Sequence, residues 1–468
     1  MEDITNSDSS GRNQTKTDLR HDLTEGGIFT KLLFISVPIM GTNMMQLAYN
    51  LTDMFWLGRV GSGAVAAAGA AGMYMWLSMG FMLIGRMGAE IGVAQCMGRG
   101  DKKTALAYSQ NAAFIALILG VLFGVAAVFF HGPLIGFYNF SEREVAGAAQ
   151  DYLSIVGIAM PLTFLTSIIA GTYNASGNSR TPFLINSLGL GLNITLDPLF
   201  IFVFGMGLKG AAIATVIGQA IVFAVMFRTF LFSKNRPFAR YFHMFRIERK
   251  KLIQLLKWSL PIGIENIMFS FLSMVTSRVA VSFGAAAMAV NRVGSQIEAL
   301  SWLIGGGYGA ALIVFVGQNY GAKKQERIRQ GIRVSFLAMT IWGVLVTVFL
   351  FTLGGAVFAI FLPDPDIIPL GKAYLFILAF CQLPMNLEAV GSGGFKGTGR
   401  TIPPSLASII TNVIRPVLAW ILSRGALGVY GVWVAVSITA VMRGLWICGW
   451  YLATSGYLGK KRGEFAQC

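Results

Sequence analysis

From Ala105 to Phe130 the chain runs 26 residues without a charge. A helix of that length rises about 39 Å, more than the roughly 30 Å of hydrocarbon in a bilayer. Twelve apolar runs of this kind follow one another, near residues 32–58, 65–96, 105–130, 150–173, 183–204, 210–232, 258–283, 288–316, 333–361, 373–393, 404–423 and 431–454. Only 12% of the 468 residues are charged, about half the usual share of a soluble domain. Twelve spans and their connections use up the chain, which excludes a water-soluble globular protein and a soluble catalytic domain.

The net charge of +16 would suggest nucleic acid if it were spread over one surface. It is instead gathered in every second connection: Arg99, Lys102 and Lys103, Arg180, the stretch from Lys234 to Lys257, Lys323 to Arg333, Lys396 and Arg400, and Lys460 to Arg462. The alternate connections hold about one basic residue each (Arg59, Arg143, Lys209, Arg292, Lys372, Arg424). Basic loops face the cytoplasm, so the pattern predicts a cell-membrane protein with both termini inside, and no nucleic-acid partner.

Four scattered cysteines imply no disulfide framework, and the single histidines His21, His131 and His243 form no metal cluster. No phosphate-binding loop, nucleophile elbow or zinc-protease motif is present, so neither ATP hydrolysis nor covalent catalysis is expected. The chain reads as a non-enzyme without a cofactor.

Self-similarity at an offset of about 220 residues divides the spans into two sets of six. Ser36-Val37-Pro38-Ile39 returns as Ser259-Leu260-Pro261-Ile262, Gly100-Asp101-Lys102-Lys103 as Gly321-Ala322-Lys323-Lys324, and Gly177 to Thr181 as Gly397 to Thr401. Asp197-Pro198 falls opposite Arg415-Pro416, and Asp53 opposite Thr276. An even number of spans per copy gives both the same orientation. The expected fold is therefore all-α and integral to the membrane, with 12 transmembrane helices in two six-helix bundles related by a pseudo-twofold axis along the membrane normal. The expected units are a mobile tail at 1–30, an N-terminal lobe at 31–232, a basic linker at 233–257 lying on anionic lipid, a C-terminal lobe at 258–455 and a tail at 456–468.

Over nearly its whole length the chain resembles the multidrug and toxic compound extrusion (MATE) family of secondary transporters. The resemblance rests on Pro38 with Thr52-Asp53-Met54-Phe55-Trp56-Leu57-Gly58-Arg59-Val60-Gly61, on Asn193 to Phe202, and on the duplicated basic turns. It implies two bundles about a central cleft and export of amphipathic, cationic organic compounds in exchange for inward Na⁺ or H⁺. A lipid-linked precursor flippase on a related fold is the alternative, because Arg278, Arg292 and Arg415 could line an anion-binding cleft. A monomer is expected, with small organic substrates, the coupling cation and membrane lipid as its partners.

Asp53 and Asp197 lie inside predicted spans, where an unpaired acid costs roughly 2.5–3.5 kcal/mol at the bilayer centre. Asn193 and Asp197 stand four residues apart and share a helix face, and the resemblance places the hydroxyl of Thr215 with them. Asp53, Asn193, Asp197 and Thr215 are the expected coupling-ion site. Neutral oxygen donors beside carboxylates favour Na⁺ over a proton. Glu265, Glu298 and Glu388, with Arg278, Arg292 and Arg415, are expected either to pair or to bind substrate in the C-terminal lobe. Met40, Met44 and Tyr49 are candidates for a substrate cavity, since thioethers repack around varied shapes. Arg86 and Glu90, at i and i+4, read as a structural pair.

Overall fold

A computed structural model describes residues 22–140, 142–234, 236–238, 247–281, 283–361 and 364–455. The expected tails at 1–21 and 456–468, residues 239–246 of the expected linker, and the side chain of Arg278 lie outside the described residues.

The N-terminal set of helices comprises α1 (Ile28–Val60), α2 (Ser62–Gly98), α3 (Lys102–Phe129), the short α4 (His131–Gly136), α5 (Arg143–Ile158), α6 (Met160–Ala175), α7 (Arg180–Pro198) and α8 (Gly207–Phe232). The C-terminal set comprises α9 (Arg249–Val281), α10 (Ala285–Gly321), α11 (Gln325–Phe361), α12 (Ile368–Gly397), α13 (Ile402–Arg424) and α14 (Val429–Ser455). Eleven helices among the described residues are individually long and apolar enough to cross a membrane. α5 and α6, bent by 49° at a break just before Pro161, make the twelfth span. Proline is tolerated in the first turn of α6 because that turn has no intrahelical partner for its N–H. Pro38, Pro261 and Pro384 lie inside unbroken helices, so Pro161 alone of these four marks a break.

Packing repeats between the two lobes. α1 lies on α7 and α7 on α8, while α9 lies on α13 and α13 on α14. Between lobes, α2 runs along α9 as α10 runs along α1, and α2 crosses α10 on the axis. The crossing is sealed twice by the same device. Gln95 Nε2 donates to the Gly397 carbonyl at 3.1 Å, and Gln318 Nε2 donates to the Ala175 carbonyl at 2.9 Å. A Cβ at Gly98 would overlap the Gln318 carbonyl, and one at Gly321 would overlap that of Gln95. Glycine is required at both because two backbones meet there with no room for a methyl group. All of these groups stand at the end of the molecule that carries the Lys- and Arg-rich turns, hereafter the basic face.

Turn geometry sets the register of the repeat. Gly100 and Lys323 both have positive φ, +76° and +58°, as do Gly177 and Gly399, +87° and +81°. The turns therefore align two residues away from the register that matching Gly-Lys-Lys and Gly-x-x-Arg identities suggests. Backbone shape follows φ, and a lysine stands where the first copy has glycine.

Residues 22–27, directly ahead of α1, are docked, in contrast to the mobility expected over 1–30. Leu23 is fully buried; its N–H donates to Gln318 Oε1 at 3.1 Å, and its carbonyl accepts from Asn319 Nδ2 and Arg327 Nε. Lys324 donates to the Thr24 carbonyl at 2.9 Å and Arg327 to that of Glu25 at 3.0 Å. This strap ties the N-terminal lobe to α10 and α11 across the basic face. In the expected linker, helix α9 already begins at Arg249, so 249–257 continue the seventh span as one rod.

At the opposite face the lobes part. A cavity of about 690 Å³ opens there, lined by Met54, Met73, Tyr138, Phe140 and small residues of α2, with Arg292 of α10 on the other lobe.

Candidate functional site

In the N-terminal lobe, α1 and α7 carry the acids toward each other. Asn193 Nδ2 donates to Asp53 Oδ1 and to Asp197 Oδ2, each at 2.8 Å. Asn193 and Asp197 are buried and Asp53 is half-buried; the two carboxyl groups approach within hydrogen-bonding reach of one another. The i, i+4 spacing on α7 stacks the two side chains, and α7 then loosens into a five-residue π-turn, Leu199–Val203, directly after Pro198. Thr215 of α8 is buried and accepts the Tyr49 hydroxyl at 3.3 Å. The four expected residues thus sit in one polar core inside the lobe.

Two of its oxygens, Asn193 Oδ1 and Asp197 Oδ1, are buried without a hydrogen-bond partner among the described residues. Buried acceptors left unpaired are costly, and adjacent ionised carboxylates repel. A small cation among these oxygens, or one proton held between the acids, removes both penalties. Tyr152 of α5 completes the core, its hydroxyl reaching Thr215 and lying within electrostatic range of both acids. Sequence reasoning missed Tyr152, which stands on a different span with no motif around it. Its counterpart in the second copy, Tyr374, lies close to Glu298. Tyr49, expected in a substrate cavity, belongs to this core.

The remaining cavity candidates divide. Met40 packs at the α1–α10 crossing, where Gly307 leaves room for its backbone, which makes it an inter-lobe contact. Met44 is half-buried one turn further along α1. The methionines lining the cavity of about 690 Å³ are Met54 and Met73.

In the C-terminal lobe the acids take partners other than those expected. Glu265 accepts from Ser405 Oγ at 2.8 Å and pairs with Lys396 at 3.6 Å. Glu388 accepts from Arg443 Nε at 2.7 Å, with both side chains about one-seventh exposed. Arg292 is exposed at the cleft mouth, away from these acids. Glu298 of α10 reaches the Gln382 side chain and lies near Arg415 without forming an ion pair among the described residues. Arg86 and Glu90 form the expected structural pair at 2.9 Å.

Helix caps correct one further alignment. Ser179 precedes α7 as Thr401 precedes α13, and the buried positions Pro182, Ile185, Gly189, Asn193 and Asp197 then match Pro404, Ala407, Thr411, Arg415 and Ala419. Arg415 therefore stands where the first lobe has Asn193, and Ala419 where it has Asp197. Pairing Asp-Pro with Arg-Pro slips the register by one helical turn. The second lobe replaces the acid-bridging amide with a guanidinium.

Two six-span lobes around a cleft sealed at one end, with buried charge inside each lobe, define an integral membrane transporter and not an enzyme. The MatE family profile matches residues 38–199 and 261–421, one segment per lobe, and the chain belongs to the MatE family of multidrug and toxic compound extrusion transporters. It is 26% identical to "Probable multidrug resistance protein NorM" of Thermotoga maritima over 419 residues, 88% of this chain and 90% of that one. It is 24% identical to a protein of Shewanella oneidensis named FAD transporter over 446 residues, 93% and 96% of the two chains. A crystal structure of MATE in complex with MaD3S superposes with a TM-score of 0.87 at 22% identity, covering 95% of this chain and 99% of that one.

Proposed function

We propose that this chain is a cation-coupled antiporter of the cell membrane. It exports amphipathic organic compounds in exchange for Na⁺ or H⁺ by alternating access, with the coupling cation held by Asp53, Asn193, Asp197 and Thr215. The observation that carries this reading is the amide of Asn193 bridging two carboxylates while two buried oxygens stay unpaired. That donor set suits Na⁺, since a hard cation takes several oxygens and a proton needs only one carboxylate. The positive-inside rule supports a cytoplasmic basic face, with both tails and the 233–257 segment on that side, and on this reading the described state is outward-open. Lobes at 31–232 and 258–455 rock about the α2–α10 crossing. One chain encloses the whole cleft, so the monomer is the working unit. Relatives named for multidrug resistance support export of varied compounds as the task.

Transport of a fluorescent organic cation in proteoliposomes tests the reading, comparing an imposed Na⁺ gradient with a pH gradient for wild type, Asp53→Asn and Asp197→Asn. Na⁺-driven movement lost in either variant supports the N-lobe cation site. Movement driven by pH with the same sensitivity makes the pair a proton carrier. Dye that moves under neither gradient, together with binding of lipid headgroups, overturns the efflux reading in favour of a flippase.

A further inference from the structure

Arg415 is the buried charge for which cation coupling has no use. It lies on α13, a helix packed against α9, α12 and α14, at 9% exposure. Its Nε donates to Thr439 Oγ1 of α14 at 3.0 Å, which fixes the guanidinium plane. Among the described residues its terminal amino groups make no hydrogen bond, and Glu298, though near, forms no ion pair with it. Neither terminal nitrogen is sealed off and unpartnered in the way that Asn193 Oδ1 is. The fork thus keeps a small accessible surface inside the lobe. The ring of Phe269 on α9 stands 6.0 Å from the guanidinium, and Trp76 of the other lobe meets Phe269 edge-on at 6.2 Å. Arg415 is thereby joined to the inter-lobe cleft by an aromatic wall.

We propose that Arg415 binds a carboxylate or similar planar anionic group on the substrate, whose aromatic body lies against Phe269 and Trp76. This inference rests on the reading of the cleft as an export route and names the substrate class for it: aromatic compounds bearing an acid group, including zwitterions. A guanidinium with two free parallel donors matches a carboxylate bidentately, and Thr439 holds it oriented for that contact. Glu298 offsets part of the positive charge from a distance, so the anion is held without the depth of a closed ion pair and can leave when the lobes move. The N-terminal lobe has nothing equivalent, because Asn193 and its acids repel an anion. The two lobes therefore divide the work by sign, cation in the first and anion in the second.

The test uses the purified full chain and two probes, a rhodamine bearing a free carboxylate and its methyl ester, with binding read by fluorescence anisotropy. Wild type is expected to bind the acid at least tenfold more tightly than the ester. Arg415→Gln is expected to lose that preference while ester binding changes less than twofold, and Arg415→Lys to restore it in part. Thr439→Val, which leaves the charge in place, is expected to weaken the acid alone by a few-fold. Ester bound as tightly as acid by wild type overturns the inference whatever the variants do, and leaves the export reading standing. Equal losses of both probes in Arg415→Gln overturn it too, by making Arg415 a structural residue. Wild type that binds neither probe overturns the inference, while the export reading stands or falls by the transport assay.

Discussion

The glycines at the α2–α10 crossing allow a steric estimate of how firmly the basic face is shut. Replacing Gly98 with alanine puts a methyl group on the Gln318 carbonyl, far inside the 3.0 Å that real Cβ contacts do not undercut. Both partners are backbone, so neither can rotate away, and the helices must part by about an ångström or more. Overpacking of this kind costs roughly 1–3 kcal/mol, and the rigid partner puts it at the upper end, about 3 kcal/mol. That cost falls on the closed state alone, since the clash vanishes once the crossing opens. The expected result is a shift of roughly a hundredfold toward the state open at the basic face. Gly321→Ala should do the same through Gln95, and the double variant should add little, because one opening relieves both overlaps. Spin labels on Lys103→Cys and Glu326→Cys, exposed on either side of the crossing in a background without the native cysteines, report the separation by pulsed dipolar spectroscopy. A long-distance population dominating in Gly98→Ala is expected. A distribution matching that of the glycine parent, with the variant folded and stable, would refute the steric seal.

Two smaller predictions concern charge. Glu388→Gln leaves Arg443 buried without its acid and should lower the midpoint of thermal unfolding in detergent by several degrees, a loss of about 1–3 kcal/mol. Adding Arg443→Gln should recover much of it, and a double variant no better than the single would sink the pairing. Asp101 caps α3 through the Thr104 N–H at 2.9 Å, and its hydrogen bonds to Thr104 hold its carboxyl below the usual carboxylate range. A depressed carboxyl contributes stability above its unfolded pKa, lost as pH falls through the folded one. Asp101→Ala should therefore be less stable than wild type near neutrality by about 0.5–2 kcal/mol, with the gap closing only below about pH 4. A gap that is flat across acid pH would assign the effect to something other than the cap.

Span number and lobe duplication were legible because the bilayer imposes them directly: a helix must be apolar for its full crossing, and duplication leaves Pro38 and Pro261 at matching places. The Asn193–Asp197 pair was legible because both lie on one helix, where spacing is geometry. Contacts between spans were not. Glu388 finds Arg443 and Glu265 finds Lys396 across 55 and 131 positions, and no pattern along the chain joins them. Lys396, counted among the basic loop residues, is drawn into the lobe by Glu265. Tyr152 escaped notice for the same reason, and the repeat register slipped because residue identity was matched where backbone angle decides.

Among the described residues, the strap at Leu23 grips only one of the two flanks of the α2–α10 crossing. Gln95 holds one flank to Gly397, but on the other flank Gln318 is held both to Ala175 and to Leu23, with Asn319, Lys324 and Arg327 gripping the same short peptide. A symmetric crossing would release both flanks together. On the described contacts, the flank at Gln95 is expected to let go before the flank at Gln318 if the lobes rock as proposed, so that the basic face would open from one side, as a zip does, with the Gln95 flank as its doorway.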